Sequence, residues 1–142
     1  MPIGRVIVAV GAIIEDEGGR ILFVKHRPER GGFWQGRWIF PGGKLNPGET
    51  IVEGTHREVL EETNLEIELT RPNPLAERIV MEGIAVHLHV LYITHMAIKR
   101  GGDLRPASDV GEATWVRRDE LSRIWPELHE DTQIIARLAR IA

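Results

Sequence analysis

Residues 43–65, GKLNPGETIVEGTHREVLEETNL, decide how the rest of the chain is read. The segment opens as loop: two prolines and three glycines across "PGGKLNPGE" speak against regular structure there. Its character changes at Thr50. Thr50-Ile51-Val52-Glu53 has the form of a capping box, and the spacing predicts a helix over Ile51–Thr63. Val52 and Val59, two turns apart, are expected to face the core with Ile51, Thr55 or Leu60. Asn64 suits the left-handed stop. Within this helix Glu58, Glu61 and Glu62 stand at i, i+3, i+4, where like charges repel by roughly 0.2–0.5 kcal/mol per pair. Gly54, one turn earlier on the same face, weakens a helix by about 0.5–1 kcal/mol. Such a face is either a solvated acidic surface or a carboxylate set for a hard divalent cation. Mg2+ and Mn2+ prefer oxygen donors and take only a few from protein. A bare Gly54 would then admit a ligand close to the helix.

The flanks supply the other elements. Val6–Ile14 is apolar and β-branched, as a buried strand should be. "EDEGGR" reads as a hairpin turn and "ILFVKHR" as the returning strand. "PERGGFWQGR" is a glycine-rich loop, followed by a short strand "WIF". Beyond the helix, strands are expected near Ala76–Met81 and Ile84–Ile98, joined by a tight "EG" turn. "KRGGDLRPASDVGE" reads as a long loop, of a length that often carries function. "ATWVRR" is one more strand, "DELSRI" a helical turn, and Asp131–Ile141 a terminal helix. The sum is α/β in the loose sense, an α+β sandwich with a mixed β-sheet flanked by helices.

Composition bounds the function. The chain of 142 residues suits a single domain spanning 1–142. A net charge of −3 gives no sign of stable nucleic-acid binding. There is no cysteine, so disulfides and thiolate metal sites are excluded. "MPIGRVIVAV" lacks a signal peptide's layout, and no apolar run approaches a membrane span. A cytoplasmic protein without membrane attachment is expected.

Counting from Gly43, the chain runs five residues to Glu49, seven more, then "REVLEETNL". This resembles the Nudix box, G-x5-E-x7-R-E-U-x-E-E-x-G-U, where U is a bulky aliphatic residue. Gly43, Glu49, Arg57, Glu58, Val59, Glu61, Glu62 and Leu65 match, eight of nine fixed positions. Asn64 stands where the family has glycine, and asparagine tolerates the positive φ wanted there.

The resemblance implies a Nudix fold and an enzyme that hydrolyses a nucleoside diphosphate linked to another moiety. It implies Mg2+ or Mn2+ held by Glu58, Glu61 and Glu62, with a backbone carbonyl of Gly42 or Gly43. One of the glutamates, or a loop acid such as Asp109 or Glu112, would take the proton from water. Arg57 is expected to orient Glu49 or Glu61 rather than touch substrate. The basic cluster "KHRPERGGFWQGR" offers Arg27, Arg30 and Arg37 for substrate phosphate. Trp34, on the loop, is the stacking candidate, whereas Trp38 and Phe40 read as core. His87, His89 and His95 share strand parity; they form a zinc site, or they line a cleft and pack.

The substrate expected from the small unadorned chain is a nucleoside triphosphate, oxidised or not. ADP-ribose and nucleotide sugars are the alternatives. Pro72 and Pro74 fall too early for the mark of the ADP-ribose group, and Tyr92 falls too far for that of the dinucleoside polyphosphate group. A catalytically inactive nucleotide-binding regulator is the alternative of another class. The long Ile84–Ile98 strand would offer a homodimer interface.

Overall fold

The computed structural model describes residues 4–142, so the first three residues of the N-terminal stretch lie outside it. Seven strands form one mixed sheet: β1 (Arg5–Glu15), β2 (Arg20–His26), β3 (Gly42–Lys44), β4 (Glu66–Pro72), β5 (Ala76–Glu82), β6 (Ala85–Gly101) and β7 (Val110–Arg117). The path is β4-β6-β1-β2-β7, with β3 added on β1 and β5 on β6. β1 and β6 run parallel from Arg5↔Leu88 to Glu15↔Ile98, and the other pairs are antiparallel.

Alternation along the strands separates two cores. Ile13, Ile21, Phe23 and Met96 point to one face and pack with Leu121, Ile124, Ile135 and Ala136. Those residues come from α2 (Leu121–Ile124) and α3 (Glu130–Leu138). Ala12, Ile14, Leu22, Val24 and Ala97 point to the other face and pack with Val59 of α1 (Ile51–Thr63). Successive side chains of one strand feed opposite layers. That explains why β1 is an unbroken apolar run: both of its faces are covered.

The box helix begins and ends where the residues predict. Glu53 N–H donates to Thr50 Oγ1 at 3.1 Å, and Thr50 N–H donates to Glu53 Oε1 at 2.8 Å. Asn64 closes it at φ 64°. The core face differs from expectation. Val52 and Leu60 are exposed at 51% and 52%, and Ile51 is exposed too. The buried stripe is Gly54, Thr55, Val59, Glu62 and Thr63. Its polarity is tolerable because Thr55 and Thr63 hydroxyls donate to the Ile51 and Val59 carbonyls, at 2.8 and 2.6 Å. Val59 alone contributes a fully buried aliphatic side chain, about 1.5–3 kcal/mol. The helix is rotated to turn Glu62 inward rather than to bury its most apolar arc.

Other expectations are corrected as well. "PGGKLNPGE" is not all loop, since Gly42–Lys44 pairs with Ala9–Gly11. Glycine makes this possible: a Cβ on Gly42 would strike the Val10 carbonyl, and one on Gly11 would lie 2.8 Å from Pro41 O. "WIF" is not a strand; Trp38 and Ile39 form isolated bridges to Leu128 and Val24. β4 went unrecognised, because its outward residues Glu66, Glu68 and Arg71 mask the alternation. The hairpin turn after β5 sits one residue later than expected, at Gly83-Ile84, with Ile84 fully exposed. The long loop shrinks to residues 102–109, since Lys99–Gly101 and Val110–Glu112 belong to β6 and β7. α3 ends at Leu138 rather than Ile141. Among the described residues, no helix is long and apolar enough to cross a membrane.

Candidate functional site

A cavity of about 260 Å³ opens between β1, β3, α1 and the loop that follows β2. Glu58 and Glu62 enter it from α1, Gly42 and Gly43 from β3, and His26, Arg30 and Asp109 from the loop side. Trp34, Tyr92, Thr94, Thr132 and Ile135 are among the other lining residues. The cavity thus has a carboxylate end and an aromatic end.

β3 and α1 are fitted closely at the carboxylate end. Gly42 N–H donates to Glu62 Oε1 at 2.9 Å, and a Cβ on Gly43 would collide with the Glu58 carboxylate. Only glycine at residue 43 leaves Glu58 its place. Gly54 has a different task from the one expected. A Cβ there would lie 2.6 Å from Leu45 Cδ1 and 2.9 Å from Glu49 Oε1, so its bareness lets the 45–49 loop pack on the helix. It does not open the helix to a ligand.

Arg57 organises this end. Its Nε and Nη2 donate to the two oxygens of Glu49 at 2.6 and 2.8 Å, a bidentate pair. Nη1 donates to Glu58 Oε1 at 2.8 Å, and Nη2 reaches Lys44 O at 3.1 Å. Glu61 lies only within 3.4 Å of Arg57 and is half exposed. So the guanidinium ties loop, β3 and helix together and holds Glu58 in position.

The protonation chemistry follows from burial. Arg57, and then the Asn46 N–H, hold the Glu49 carboxyl down to about 2. Burial raises Glu58 above the usual carboxylate range despite its bond to Arg57. Burial pushes Glu62 up to about 8; Glu58 and Asp109 add to the rise, and the Gly42 N–H works against it. His26 is shifted down by burial and then by Arg30, which favours a neutral ring. Its Nδ1 is buried without a hydrogen-bond partner.

The residues singled out from the sequence fall into two groups. Glu58, Glu62, Gly43, Arg30, Trp34 and Asp109 line one cavity, with Arg57 and Glu49 directly behind Glu58. Glu61, expected with them, is half exposed and does not line the cavity. Arg27, Arg37 and Glu112 do not line the cavity. Arg37 Nη1 donates to Pro126 O at 2.8 Å, and Glu112 is exposed on β7 opposite Lys25. Arg30 makes an ion pair with Asp109 at 3.1 Å. Lys25 stacks over Trp38 at 4.6 Å, so the basic cluster is dispersed among structural tasks. The zinc reading of His87, His89 and His95 fails: among the described residues no three His, Asp or Glu side chains form a metal cluster. His87 and His89 lie beside Glu82 and Glu77 at 3.3 and 2.7 Å.

The sequence reading missed His26, Thr94, Thr132 and Tyr92 as lining residues. Tyr92 was set aside on its distance from the box, a measure blind to the parallel pairing of β6 with β1. For His26 no sequence signal distinguishes the site residue from a strand end.

The donor chemistry here fits a hard divalent cation. Three carboxylates, Glu58, Glu62 and Asp109, line the cavity, and Glu62 is so buried that its charge is costly unless compensated. A closely packed Gly-Gly backbone adjoins them. Among the described residues Glu58, Glu61 and Glu62 do not converge as a three-carboxylate cluster; of the three, Glu58 and Glu62 face the cavity.

A family model described as NUDIX domain matches residues 5–138. The nucleoside triphosphatase NudI of Enterobacter sp. (strain 638) is 28% identical over 128 residues, covering 86% of this chain and 88% of that protein. The MutT protein structure from Methanosarcina mazei Go1 superposes with a TM-score of 0.77 at 22% identity, covering 96% of this chain and 97% of that one. A Francisella tularensis bifunctional NMN adenylyltransferase/ADP ribose pyrophosphatase, complexed with AMP and a Mn ion, superposes with a TM-score of 0.69 at 23% identity. This chain covers 42% of that protein's length.

Proposed function

This chain belongs to the Nudix family and is a pyrophosphohydrolase of that family, and from this premise we propose that a single domain over 1–142 cleaves a nucleoside triphosphate, unmodified or oxidised. The observation that carries the proposal is one cavity with buried carboxylates at one end and an aromatic wall at the other. A triphosphate needs charge compensation, and a base needs a flat apolar contact. The similarity to a nucleoside triphosphatase across most of both chains supports the same substrate class.

Family members use divalent metal; Mg2+ or Mn2+ is proposed here. Glu58 and Glu62 would hold it, with a carbonyl of Gly42 or Gly43, and Glu61 would join from the rim. Bound there, the ion supplies charge neutralisation for the pyrophosphate and makes water more acidic. Arg57 fixes Glu58 and, through Glu49, the loop beneath it. Arg30 binds phosphate, giving up Asp109 to do so. Asp109, freed from that ion pair, or one of the box glutamates accepts the proton from water; Glu112 is exposed on β7 and does not line the cavity. Trp34 stacks on the base. The protein is placed in the cytoplasm, with a nucleotide as its small-molecule partner, and a homodimer through the exposed β5–β6 hairpin is proposed with it.

The deciding experiment is a panel of nucleoside triphosphates, oxidised triphosphates, ADP-ribose and nucleotide sugars. Each is incubated with Mg2+ or Mn2+ and the products are separated by chromatography. Metal-dependent release of nucleoside monophosphate and pyrophosphate from triphosphates is the expected result. Cleavage of ADP-ribose alone would overturn the substrate. Nucleotide binding without cleavage of any of them would favour the inactive regulator.

A further inference from the structure

At the aromatic end the cavity wall is held by a part-buried relay that ends on the buried Asp131. Trp34 Nε1–H donates to Tyr92 Oη at 2.9 Å, and Tyr92 O–H donates to Asp131 Oδ2 at 2.5 Å. Arg78 grips Asp131 from β5, with Nε and Nη2 on Oδ1 at 2.8 and 2.6 Å. The directions are forced by chemistry. Indole nitrogen can only donate and an ionised carboxylate can only accept, so the tyrosine hydrogen must go to Asp131. Burial, and then the bond to Asp131, raise the Tyr92 phenol above its ordinary value, so it stays an O–H donor.

The loop carrying Trp34 needs such a tether. After the short turn Pro28–Arg30 it has no regular structure, and Gly31, Gly32 and Gly36 adopt positive φ. Its far end is fixed by backbone bonds: Trp38 N–H to Glu127 O and His129 N–H to Trp38 O, both 3.0 Å. Phe33 packs edge-on against His129, ring centroids 4.8 Å apart. Trp34 itself is anchored to the sheet by the Tyr92 hydroxyl. Tyr92 also stands between two other wall elements. It lies on β6 beside Thr94, and its carboxylate partner adjoins Thr132, the α3 residue that enters the cavity.

We propose that Tyr92 is a positioning residue, whose hydroxyl holds the Trp34 indole as the wall facing the group attached to the pyrophosphate. The Tyr92–Asp131–Arg78 relay, not the carboxylate end, then sets selectivity for that group. Because the indole N–H is already used, Trp34 presents only its ring to a ligand. Recognition at this wall therefore works by shape and stacking, not by hydrogen bonding from Trp34. The inference rests on the nucleotide pyrophosphatase reading for its substrate but not for its geometry.

Tyr92→Phe tests it, since the ring is kept and one oxygen is lost. In the full chain, the Trp34 indole N–H is followed by 1H–15N spectra and assigned by its disappearance in Trp34→Phe. In Tyr92→Phe its hydrogen exchange should quicken at least tenfold. In parallel, kcat/KM for a nucleoside triphosphate should fall at least tenfold more than kcat/KM for methyl triphosphate, with the loss in KM. Unchanged indole exchange would overturn the proposal. Equal losses on both substrates would also overturn it, because Tyr92 would then serve the fold rather than the wall. If the wild-type protein cleaves no nucleotide, the substrate reading fails separately; quickened exchange would still uphold the tether.

Discussion

The two ends of the cavity are built in opposite ways. Every group of the carboxylate end except Asp109, Arg30 and His26 comes from residues 42–62. The aromatic end draws on Trp34, Tyr92, Thr132 and, behind them, Arg78 and Asp131, the first hydrogen-bonded pair lying 58 positions apart in sequence. One end is local in sequence and the other exists only after β6 has paired with β1 and α3 has docked. Local construction suits chemistry that needs fixed carboxylates, since a capped helix and a Gly-Gly strand set their spacing directly. Construction across the fold suits a wall that can be remodelled without touching the reaction.

The largest effects should follow loss of the buried carboxylates. Glu62→Gln keeps the acceptor for Gly42 N–H, and Glu58→Gln keeps one for Arg57, so both variants should fold. Each is expected to lower metal-dependent turnover about a thousandfold, on the order of 4 kcal/mol of barrier. Glu61→Gln, half exposed at the rim, should cost less, about tenfold to a hundredfold. Steady-state kinetics beside circular dichroism would measure this. An order with Glu61 most severe would move the cation to the rim.

A second effect tests the burial of the same end. In the folded protein Glu62 titrates near pH 8, against roughly 4.3 in an unfolded chain. Between those values the folded state binds the extra proton, so stability falls as pH rises and levels off above about 8. A divalent cation takes the proton's place and should flatten the slope. Melting curves at pH 5, 6.5 and 8, with chelator and with Mg2+, compare wild type with Glu62→Gln. The wild-type melting temperature in chelator should drop more steeply. Identical slopes in the two proteins would mean that Glu62 is ionised throughout.

At the aromatic end the expected losses are smaller and fall on binding. Trp34→Ala should raise KM for a nucleoside triphosphate by roughly 1–3 kcal/mol of stacking, and leave kcat within about threefold. A loss in kcat with KM unchanged would mean that Trp34 shapes the reacting end instead.

This contrast also explains what could be read beforehand. The capping box at Thr50 and the stop at Asn64 were legible because each depends on neighbours within a turn or two; the Nudix fold and the grouping of Glu58, Glu61 and Glu62 with Gly43 came from the resemblance of the box, and of that set Glu61 does not line the cavity. Three kinds of feature were not. The burial of α1 was misjudged because apolar periodicity favoured Val52 and Leu60, while the site required Glu62 inward. β3 was hidden because glycine, usually a breaker, here permits contact between two backbones. Tyr92 and Thr132 carried no sign of a site, since their meaning comes from pairing and docking far along the chain.

The smallest effects separate the arginines of one basic segment. Arg30 and Arg37 lie seven residues apart and look alike in sequence. Arg30 lines the cavity and is paired with exposed Asp109, an ion pair across which a phosphate can compete. Arg37 is turned away, and one of its nitrogens is given to the Pro126 carbonyl. Arg30→Ala should raise KM about tenfold, or about 1.4 kcal/mol, through loss of a charge-assisted phosphate contact. Arg37→Ala should leave KM within about twofold, because it loses one exposed bond to a carbonyl and no substrate contact. Salt sharpens the comparison. The Arg30 contribution should shrink as ionic strength rises from about 0.01 M to 0.15 M, where the screening length falls from about 30 to 8 Å. If instead Arg37→Ala raised KM more than Arg30→Ala, the phosphate would have to enter along the Pro126 side of the loop, and the division of the cavity into its two ends would need to be redrawn around that path.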